Sequence, residues 1–417
     1  MPFRRVLLLL LPGLLGGTAG LAGDQARIRL GIDVVQEEAF RSLRGKRIGL
    51  IAHPASVDRH GRSSIAILHR AVGLEVGALF GPEHGVEGRF GAGEEFPDGV
   101  HVPTGLPVRS LYGPGGVRAP SQDALKGLDA LVYDLQDIGF RAYTYISTLG
   151  LAMEACGRAG LEFVVLDRPN PVGGLRVEGP VVEPRFRSFI GRWPVPMLYG
   201  MTPGELALMI AGEKWIEHPP KVRVIRLQGW RRSMTWKDTG LRWTPTSPGV
   251  PTAERCLYLP ATSLVADLGG VSVGFGTPMP YECVAAPWIH ADLLARWLEY
   301  RGLPGVKFET VRFTPTRGAY AGQEVQGVRL KFTDPARAPL AAMNVYLWDG
   351  IRRLHGRNLC REAVRRGHSF AMFDKICGTD RLRRELLKDR SASEILAGWA
   401  AEEEAFRRRR ARYLLYP

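Results

Sequence analysis

Alternation between short apolar runs and helical patterns is the feature that most restricts how this chain can fold. Most of the apolar runs end in a polar loop rich in glycine or proline, and a helical pattern follows. Repeated β-loop-α units with right-handed crossovers are typical of a mostly parallel, doubly wound sheet. We therefore predict an α/β fold with a Rossmann-like N-terminal half. The runs interpreted as buried strands are residues 47–52, 74–80, 130–135, 161–166 and 222–227.

Three connections between these runs also carry local predictions. Residues 61–72 are predicted as a helix, and residues 81–120 as a long loop rich in glycine and proline. Thr202 and Glu205 are predicted to form a capping box, with Pro203 as the first residue of a helix that extends to about Trp215.

The composition changes after the last of these runs. Residues 229–251 are rich in tryptophan, proline and arginine, and predicted helices and strands alternate less regularly beyond them. At 417 residues the chain is long enough for two domains. We predict a Rossmann-like catalytic domain over residues 24–240 and a smaller α+β domain over residues 241–417 that completes a cleft.

The N-terminus has the pattern of a secretory signal peptide. Arg4 and Arg5 precede an apolar stretch over residues 6–15, and small residues near Ala22 and Gly23 offer cleavage sites. The apolar stretch is too short for a membrane-spanning helix. We therefore predict a signal peptide over residues 1–23, with a retained N-terminal anchor as the alternative. The mature protein is expected to be periplasmic or secreted, without stable membrane insertion.

The net charge narrows the classes of molecule that the protein could bind. The net charge is +14, and arginines are concentrated in residues 352–366 and 407–412. Such clusters can attract nucleic acid, but for an exported protein an anionic cell-wall polymer or membrane surface is the more natural partner. Ordinary surface arginines would account for the charge equally well.

The five cysteines form no C-x-x-C motif, so neither structural zinc nor a disulfide scaffold is expected. One or two pairs of them could still form disulfide bonds.

Unusual polar residues follow four successive predicted strands. Because the carboxyl ends of parallel strands meet at one edge of a sheet, the loops that follow them converge on one crevice. Side chains from these loops are therefore the candidates for a functional site. They are His53 after the first strand, Glu83 and His84 after the second, Asp134, Asp137, Arg141, Tyr143 and Tyr145 after the third, and Arg168, Asn170 and Glu178 after the fourth.

Glu83 and His84 are the strongest of these candidates. They follow the break at Gly81 and Pro82 and are enclosed by two further glycines. Taken alone, this segment could be an ordinary βα loop with two solvated polar residues. Its convergence with three other loops favours a reacting group.

The remaining candidates each have an alternative role. Asp134 and Asp137 could activate water or orient His84, or could instead cap a helix or pair within a loop. Arg141 and Arg168 suit an anionic substrate group, although Arg168 could simply pair with an aspartate. Tyr143 and Tyr145 would diverge on a helix, so that only one need line the site.

Several chemistries lack their sequence motifs. The chain has no G-x-G-x-x-G after the first predicted strand and no Walker A motif, which disfavours nucleotide binding. It also has no H-E-x-x-H motif. Carboxylate chemistry of the glycosidase type remains, and we expect no metal and no cofactor.

Eight motifs follow one another in a fixed order along the chain. They are Gly31–Val34, Arg47–Pro54, Ala78–Gly85, Tyr133–Gly139, Arg141–Gly150, Val165–Gly174, Val177–Pro180 and Ala286–Ile289. With them the chain resembles the NamZ-type exo-β-N-acetylmuramidases over about residues 30–417. The resemblance implies release of terminal N-acetylmuramic acid from the non-reducing end of peptidoglycan fragments. It also implies a cleft between a Rossmann-like domain and a smaller C-terminal domain, with Glu83 as the catalytic candidate.

One segment departs from the family pattern. Gly274-Phe275-Gly276-Thr277 stands where the family usually has Gly-Arg-Gly-Thr. The missing arginine could have contacted the lactyl carboxylate of muramic acid, and Arg89, Arg141 or Arg168 would have to replace it. A non-catalytic protein that binds muropeptides is therefore the alternative function.

The complete prediction for the site follows from these motifs. Proton transfer is assigned to Glu83, with His84, Asp134 or Asp137, or otherwise Glu282, as the second group, and a mechanism assisted by the substrate's acetamido group remains an alternative. The predicted substrate-binding residues are His53, Arg141, Tyr143, Tyr145, Arg168, Asn170, Glu178, Thr277 and Glu282.

Overall fold

The computed structural model describes residues 28–417, so the predicted signal peptide lies outside the described residues. Within that range no helix is both long and apolar enough to cross a membrane. Its strands form a seven-stranded and a three-stranded sheet. The larger contains β1 (Arg47–Ala52), β2 (Glu75–Gly81), β3 (Gly99–His101), β4 (Leu106–Ser110), β5 (Ala130–Asp134), β6 (Glu162–Leu166) and β7 (Lys221–Ile225), and the smaller contains β8 (Cys283–Ala286), β9 (Val306–Phe313) and β10 (Val325–Phe332).

Helices flank both sheets. Those of the first half are α1 (Gly31–Glu37), α2 (Ser64–His69), α3 (Gln122–Leu125), α4 (Tyr145–Arg158), α5 (Pro203–Gly212) and α6 (Trp236–Thr239). Those of the second half are α7 (Arg255–Leu268), α8 (Ala291–Tyr300), α9 (Leu340–His355), α10 (Leu359–Arg365), α11 (Ala371–Cys377), α12 (Arg381–Leu387), α13 (Ala392–Ala397) and α14 (Ala400–Arg410).

The first sheet has the order β3-β4-β2-β1-β5-β6-β7, and only the pair of β3 and β4 is antiparallel. Along β5, Leu131 and Tyr133 pack with α4 and α5 on one face, whereas Val132 packs with α1 and α2 on the other. A sheet buried on both faces explains the nearly continuous apolar composition of the central strands. The predicted α/β class, with a mostly parallel doubly wound sheet and a smaller α+β part, is confirmed.

Some elements differ from the prediction because their local patterns are weak. Residues 81–120 were predicted as one long loop, but they include the short strands β3 and β4 at the sheet edge. The helix expected over residues 61–72 is confined to Ser64–His69. Helix α7 was not predicted because Pro260 lies inside it, and proline disfavours a helix interior in isolation.

The start of α5 is joined to the end of β6. Thr202 accepts a hydrogen bond from the backbone of Glu205, whose carboxylate in turn accepts from the Thr202 amide at 3.0 Å, which confirms the predicted capping box. Asp167 accepts from the Thr202 hydroxyl at 2.7 Å and from the Gly204 amide at 2.8 Å. This carboxylate therefore links the strand end to the positive end of the helix dipole.

The C-terminal segment returns to the first sheet. The Arg410 side chain is buried and donates to the backbone carbonyls of Gly174 and Tyr199 at 3.0 and 2.9 Å. The Tyr416 hydroxyl donates to Asp167 and accepts from the Leu227 amide. Part of the arginine cluster at residues 407–412 thus holds the chain together instead of forming a free basic surface.

The five cysteines are all buried and unpaired, so the structure contains none of the disulfides that the sequence left open. Burial raises the pKa of the Cys156 and Cys283 thiols to about 12. These residues therefore behave as small apolar side chains.

We predict that Tyr416→Phe lowers the free energy of unfolding by about 2 kcal/mol, because it removes one donor from the buried Asp167 side chain and leaves the Leu227 amide without its acceptor. Urea unfolding followed by tryptophan fluorescence would measure the change. Tyr300→Phe is the matched control, since Tyr300 is 87% exposed. Equal stability of the two variants would contradict a stabilising role for the C-terminal contact.

Candidate active site

The loops after β1, β2 and β5 form one edge of the first sheet. β1 lies between β2 and β5, with Ile51 opposite both Phe80 and Tyr133. His53 follows directly after β1, Glu83 lies two residues beyond β2, and residues 135–144 connect β5 to α4. The predicted convergence of these loops therefore follows from the strand order.

Glu83 is held by two donors and remains 9% exposed. Its Oε1 accepts from the Gly93 amide at 2.7 Å, and its Oε2 accepts from the Thr144 hydroxyl at 2.7 Å. Burial and the nearby Glu83 carboxylate raise the pKa of the Tyr112 hydroxyl. The carboxyl group is thus held in one orientation and keeps a small exposed fraction.

Thr144 was not among the predicted site residues, although it lies between the two predicted tyrosines. Its hydroxyl can both donate and accept a hydrogen bond. It can therefore remain bonded to Glu83 whether or not Glu83 carries a proton. A threonine at the start of a helix commonly serves as a cap, so the sequence pattern alone could not distinguish the two roles.

His84 shapes the loop that carries Glu83. Its φ is +73°, in the left-handed region, and its Nδ1 lies 2.9 Å from the Phe90 carbonyl oxygen. Because a carbonyl can only accept, Nδ1 carries the proton. Phe90 stacks on Phe96 with centroids 4.4 Å apart. His84 therefore folds residues 84–93 back so that the Gly93 amide reaches Glu83.

His53, Tyr143 and Tyr145 form an aromatic wall beside His84. The ring centroids of Tyr143 and Tyr145 are 4.8 Å apart, and those of His53 and Tyr145 are 5.5 Å apart. The expected divergence of the two tyrosines does not occur, because Tyr143 precedes α4 and helical spacing does not apply to it. The Tyr145 hydroxyl donates to the Thr246 carbonyl at 2.9 Å, which ties this wall to the segment between the two sheets.

Asp134 and Arg168 form a buried ion pair. Arg168 donates to Asp134 through Nε at 2.6 Å and through Nη2 at 2.9 Å, with both side chains 2% exposed or less. Arg168 Nη2 also donates to the Val57 carbonyl at 2.9 Å. Both carboxylate oxygens are therefore engaged by a cation, which favours a structural role over activation of water.

Asp137 is also buried, but its surroundings differ. Its Oδ2 accepts from the Tyr199 hydroxyl at 2.5 Å and from the Gly139 amide at 2.6 Å, whereas Oδ1 has no partner among residues 28–417. Burial raises the pKa of this carboxyl to about 6, although both hydrogen bonds oppose that shift. Asp137 therefore takes up a proton near neutral pH.

Three predicted substrate-binding residues make internal contacts instead. Arg141 is fully buried and donates to the carbonyls of Pro180 and Ile376, both at 2.6 Å, which joins the first half of the chain to α11. Asn170 donates to the Met201 carbonyl at 3.0 Å. Glu178 accepts from the Ala341 amide at the start of α9 at 2.8 Å and pairs with Arg176.

The predicted residues of the second half lie around a separate turn. The Thr277 hydroxyl donates to the Gly274 carbonyl at 2.7 Å, and Glu282 pairs with Arg329 at 2.6 Å. Phe275 packs edge-on against Tyr281 with centroids 5.0 Å apart. None of these contacts joins the turn to Glu83.

The three arginines proposed to replace the missing family arginine are engaged elsewhere. Arg141 and Arg168 make the internal bonds described above, and Arg89 pairs with Glu87 at the surface with 68% of its side chain exposed.

One group of side chains among residues 28–417 has the spacing that a metal ion would need. It consists of Glu154, Glu217 and His218 and lies on the surface. The same Glu154 pairs with Arg158, and the group lies on α4 and the 217–218 segment, away from the sheet edge that carries Glu83.

We predict that Asp137 makes stability depend on pH. The pKa of Asp137 in the folded protein is about 6, above the ordinary value of 3.8. The contribution of Asp137 to the free energy of unfolding is therefore fully present below pH 3.8 and is lost as the pH rises through about 6. Between about pH 4 and pH 7, the unfolding free energy of the wild type should fall by about 2 kcal/mol relative to Asp137→Asn. Urea unfolding across this range would measure it, and parallel curves for the two proteins would refute the assignment.

Comparison with known proteins agrees with the resemblance drawn from the motifs. The N-terminal and C-terminal models of the exo-beta-N-acetylmuramidase NamZ family match residues 48–254 and 257–416. A peptidoglycan beta-N-acetylmuramidase NamZ of Bacillus subtilis (strain 168) is 37% identical over 390 residues, covering 94% of this chain and 92% of that protein.

Solved structures are similar over the same length. Two DUF1343 family proteins of Bacteroides fragilis NCTC 9343 align with TM-scores of 0.85 and 0.74 at 39% and 27% identity. Each alignment covers 94% of this chain and 99% of the other. The chain therefore belongs to the NamZ exo-β-N-acetylmuramidase family and is a glycoside hydrolase.

Proposed function

We propose that this protein is an exported, exo-acting hydrolase that releases terminal N-acetylmuramic acid from the non-reducing end of peptidoglycan fragments. Family membership supports the general activity, a glycoside hydrolase acting on peptidoglycan. The geometry of Glu83 carries the mechanistic part of the proposal. Among the candidate carboxylates, Glu83 and Asp137 are bonded only to uncharged donors, whereas Asp134 and Glu282 are paired with arginines. Of these two, Glu83 is the more exposed, at 9% against 3% for Asp137.

Glu83 serves as the general acid in this proposal. A protonated carboxyl at this position gives its proton to the glycosidic oxygen as the bond to the sugar breaks. Thr144 then donates its hydroxyl hydrogen to the carboxylate that is left behind, and the Gly93 amide bonds to the other oxygen. Both donors are fixed before the reaction, so the new charge is stabilised without reorganisation.

Asp134 supports the site without taking part in proton transfer. Its pairing with Arg168 holds the end of β5 against the loop after β6, and the Val57 carbonyl extends this contact to the loop after β1. We assign Arg141 a similar supporting role, because its bonds to the carbonyls of Pro180, Val195 and Ile376 hold the loop after β5 to three distant segments of the chain.

We predict that Glu83→Gln lowers kcat for a chromogenic N-acetylmuramic acid glycoside by about 10³-fold, since glutamine keeps the two hydrogen-bonded contacts but has no proton to transfer at this step. Glu87→Gln changes a charge in the same loop outside these contacts and should remain close to wild type. Retained activity of Glu83→Gln would exclude Glu83 as the acid. Binding of muropeptides by the wild type without turnover of any terminal amino sugar would instead support the non-catalytic alternative.

Export is the second testable part of the proposal. The basic and apolar pattern of residues 4–15 supports cleavage near Ala22 or Gly23. Expression in a host with a periplasm should yield a mature protein whose N-terminus, measured by mass spectrometry, begins close to residue 24. A full-length protein recovered from the cytoplasm would contradict export.

A further inference from the structure

His53 holds a hydrogen-bond donor that nothing in the described chain accepts. The residue follows β1 and is 4% exposed, between the rings of Tyr145 and His84. Among residues 28–417, no group forms a hydrogen bond with its Nε2. An unsatisfied buried donor is unfavourable, and in a native site it indicates a partner that arrives with a ligand or with water.

The proton position on His53 follows from its other nitrogen. Nδ1 accepts a hydrogen bond from the Ala55 amide at 3.2 Å. A nitrogen that accepts must be unprotonated, so the neutral ring carries its hydrogen on Nε2. Burial, and secondarily the neighbouring His84, lower the pKa of His53 to about 3. His53 is therefore an uncharged imidazole over the whole range in which such an enzyme works.

The loop that carries Glu83 passes close to His53 Nε2 at Gly88. A Cβ atom at this position would lie 4.0 Å from His53 Nε2 and 3.1 Å from Pro54. The φ of Gly88 is +67°, a conformation that favours glycine. Glycine at this position therefore lets the loop that carries the acid also pass beside the unpartnered nitrogen of His53.

We propose that His53 binds an uncharged oxygen of the sugar placed against Glu83, donating to it through Nε2. The inference rests on the proposed function for the identity of this ligand, a terminal N-acetylated amino sugar with hydroxyl and acetamido oxygens. A neutral donor fixes the position of such an oxygen through a directional hydrogen bond and does not attract an anion. His53 thus orients the sugar and leaves proton transfer to Glu83.

Two substitutions separate this role from a purely structural one. In His53→Gln the amide nitrogen lies near the position of Nε2, so the donor is kept while the contact with Ala55 is weakened. In His53→Asn the side-chain oxygen can still accept from Ala55, but no donor reaches the position of Nε2. We expect His53→Asn to lower kcat/KM for the muramic acid glycoside by about tenfold to a hundredfold. His53→Gln should retain most of the wild-type value.

The matched control is His69→Asn, on the exposed end of α2, which should behave as the wild type. Urea unfolding of each variant shows whether it folds. Wild-type kcat/KM in His53→Asn would overturn the proposal, and so would equal losses in His53→Gln and His53→Asn, because the donor would then not be the feature that matters.

A direct readout distinguishes failure of this inference from failure of the proposed function. In protein labelled with ¹⁵N-histidine, the Nε2–H resonance that disappears in His53→Gln should move when N-acetylmuramic acid is added. A shift without turnover of any glycoside would refute the proposed function and support the binding role of His53. Turnover without a shift at saturating sugar would refute the role of His53 alone.

Discussion

The buried ion pair between Asp134 and Arg168 is the interaction on which the site depends most. It joins the ends of β5 and β6, and the bond from Arg168 to the Val57 carbonyl adds the loop after β1. Removing one partner of such a pair typically costs about 3–5 kcal/mol, because it leaves an uncompensated buried charge. Two geometrically matched hydrogen bonds also restrict orientation, so the pair fixes the relative positions of the loops that carry the chemistry.

The proposed catalysis also depends on hydrogen bonds from uncharged groups. Glu83 takes one donor from its own loop and one from Thr144, at the start of the helix that follows β5. His84 contributes by folding that loop, and His53 contributes an uncharged donor. Both donors to Glu83 are uncharged, in contrast to the arginine that pairs with Asp134.

Charged residues make the contacts that join the two halves of the chain. In the sequence, residues of this type suggest a binding surface. Arg141, Arg176 and Arg410 donate to backbone carbonyls in distant segments, and Glu178 caps the start of α9. These arginines satisfy carbonyl groups that would otherwise be buried without donors. These charged residues, which in the sequence suggest a cationic surface or substrate binding, therefore connect distant segments inside the protein.

Sequence patterns determined the α/β class, the strand ends and the capping box of α5, and together with the family resemblance they led to Glu83 as the first residue to test. These features depend on local periodicity, on glycine and proline, and on the rule that parallel strands present their carboxyl ends together. The tertiary structure alone decided that Asp134 pairs with Arg168, that Thr144 reaches Glu83, that Tyr143 and Tyr145 lie together, and that His53 carries its hydrogen on Nε2. Each of these depends on which distant group fills the space beside a side chain, and residue type and spacing do not contain that information.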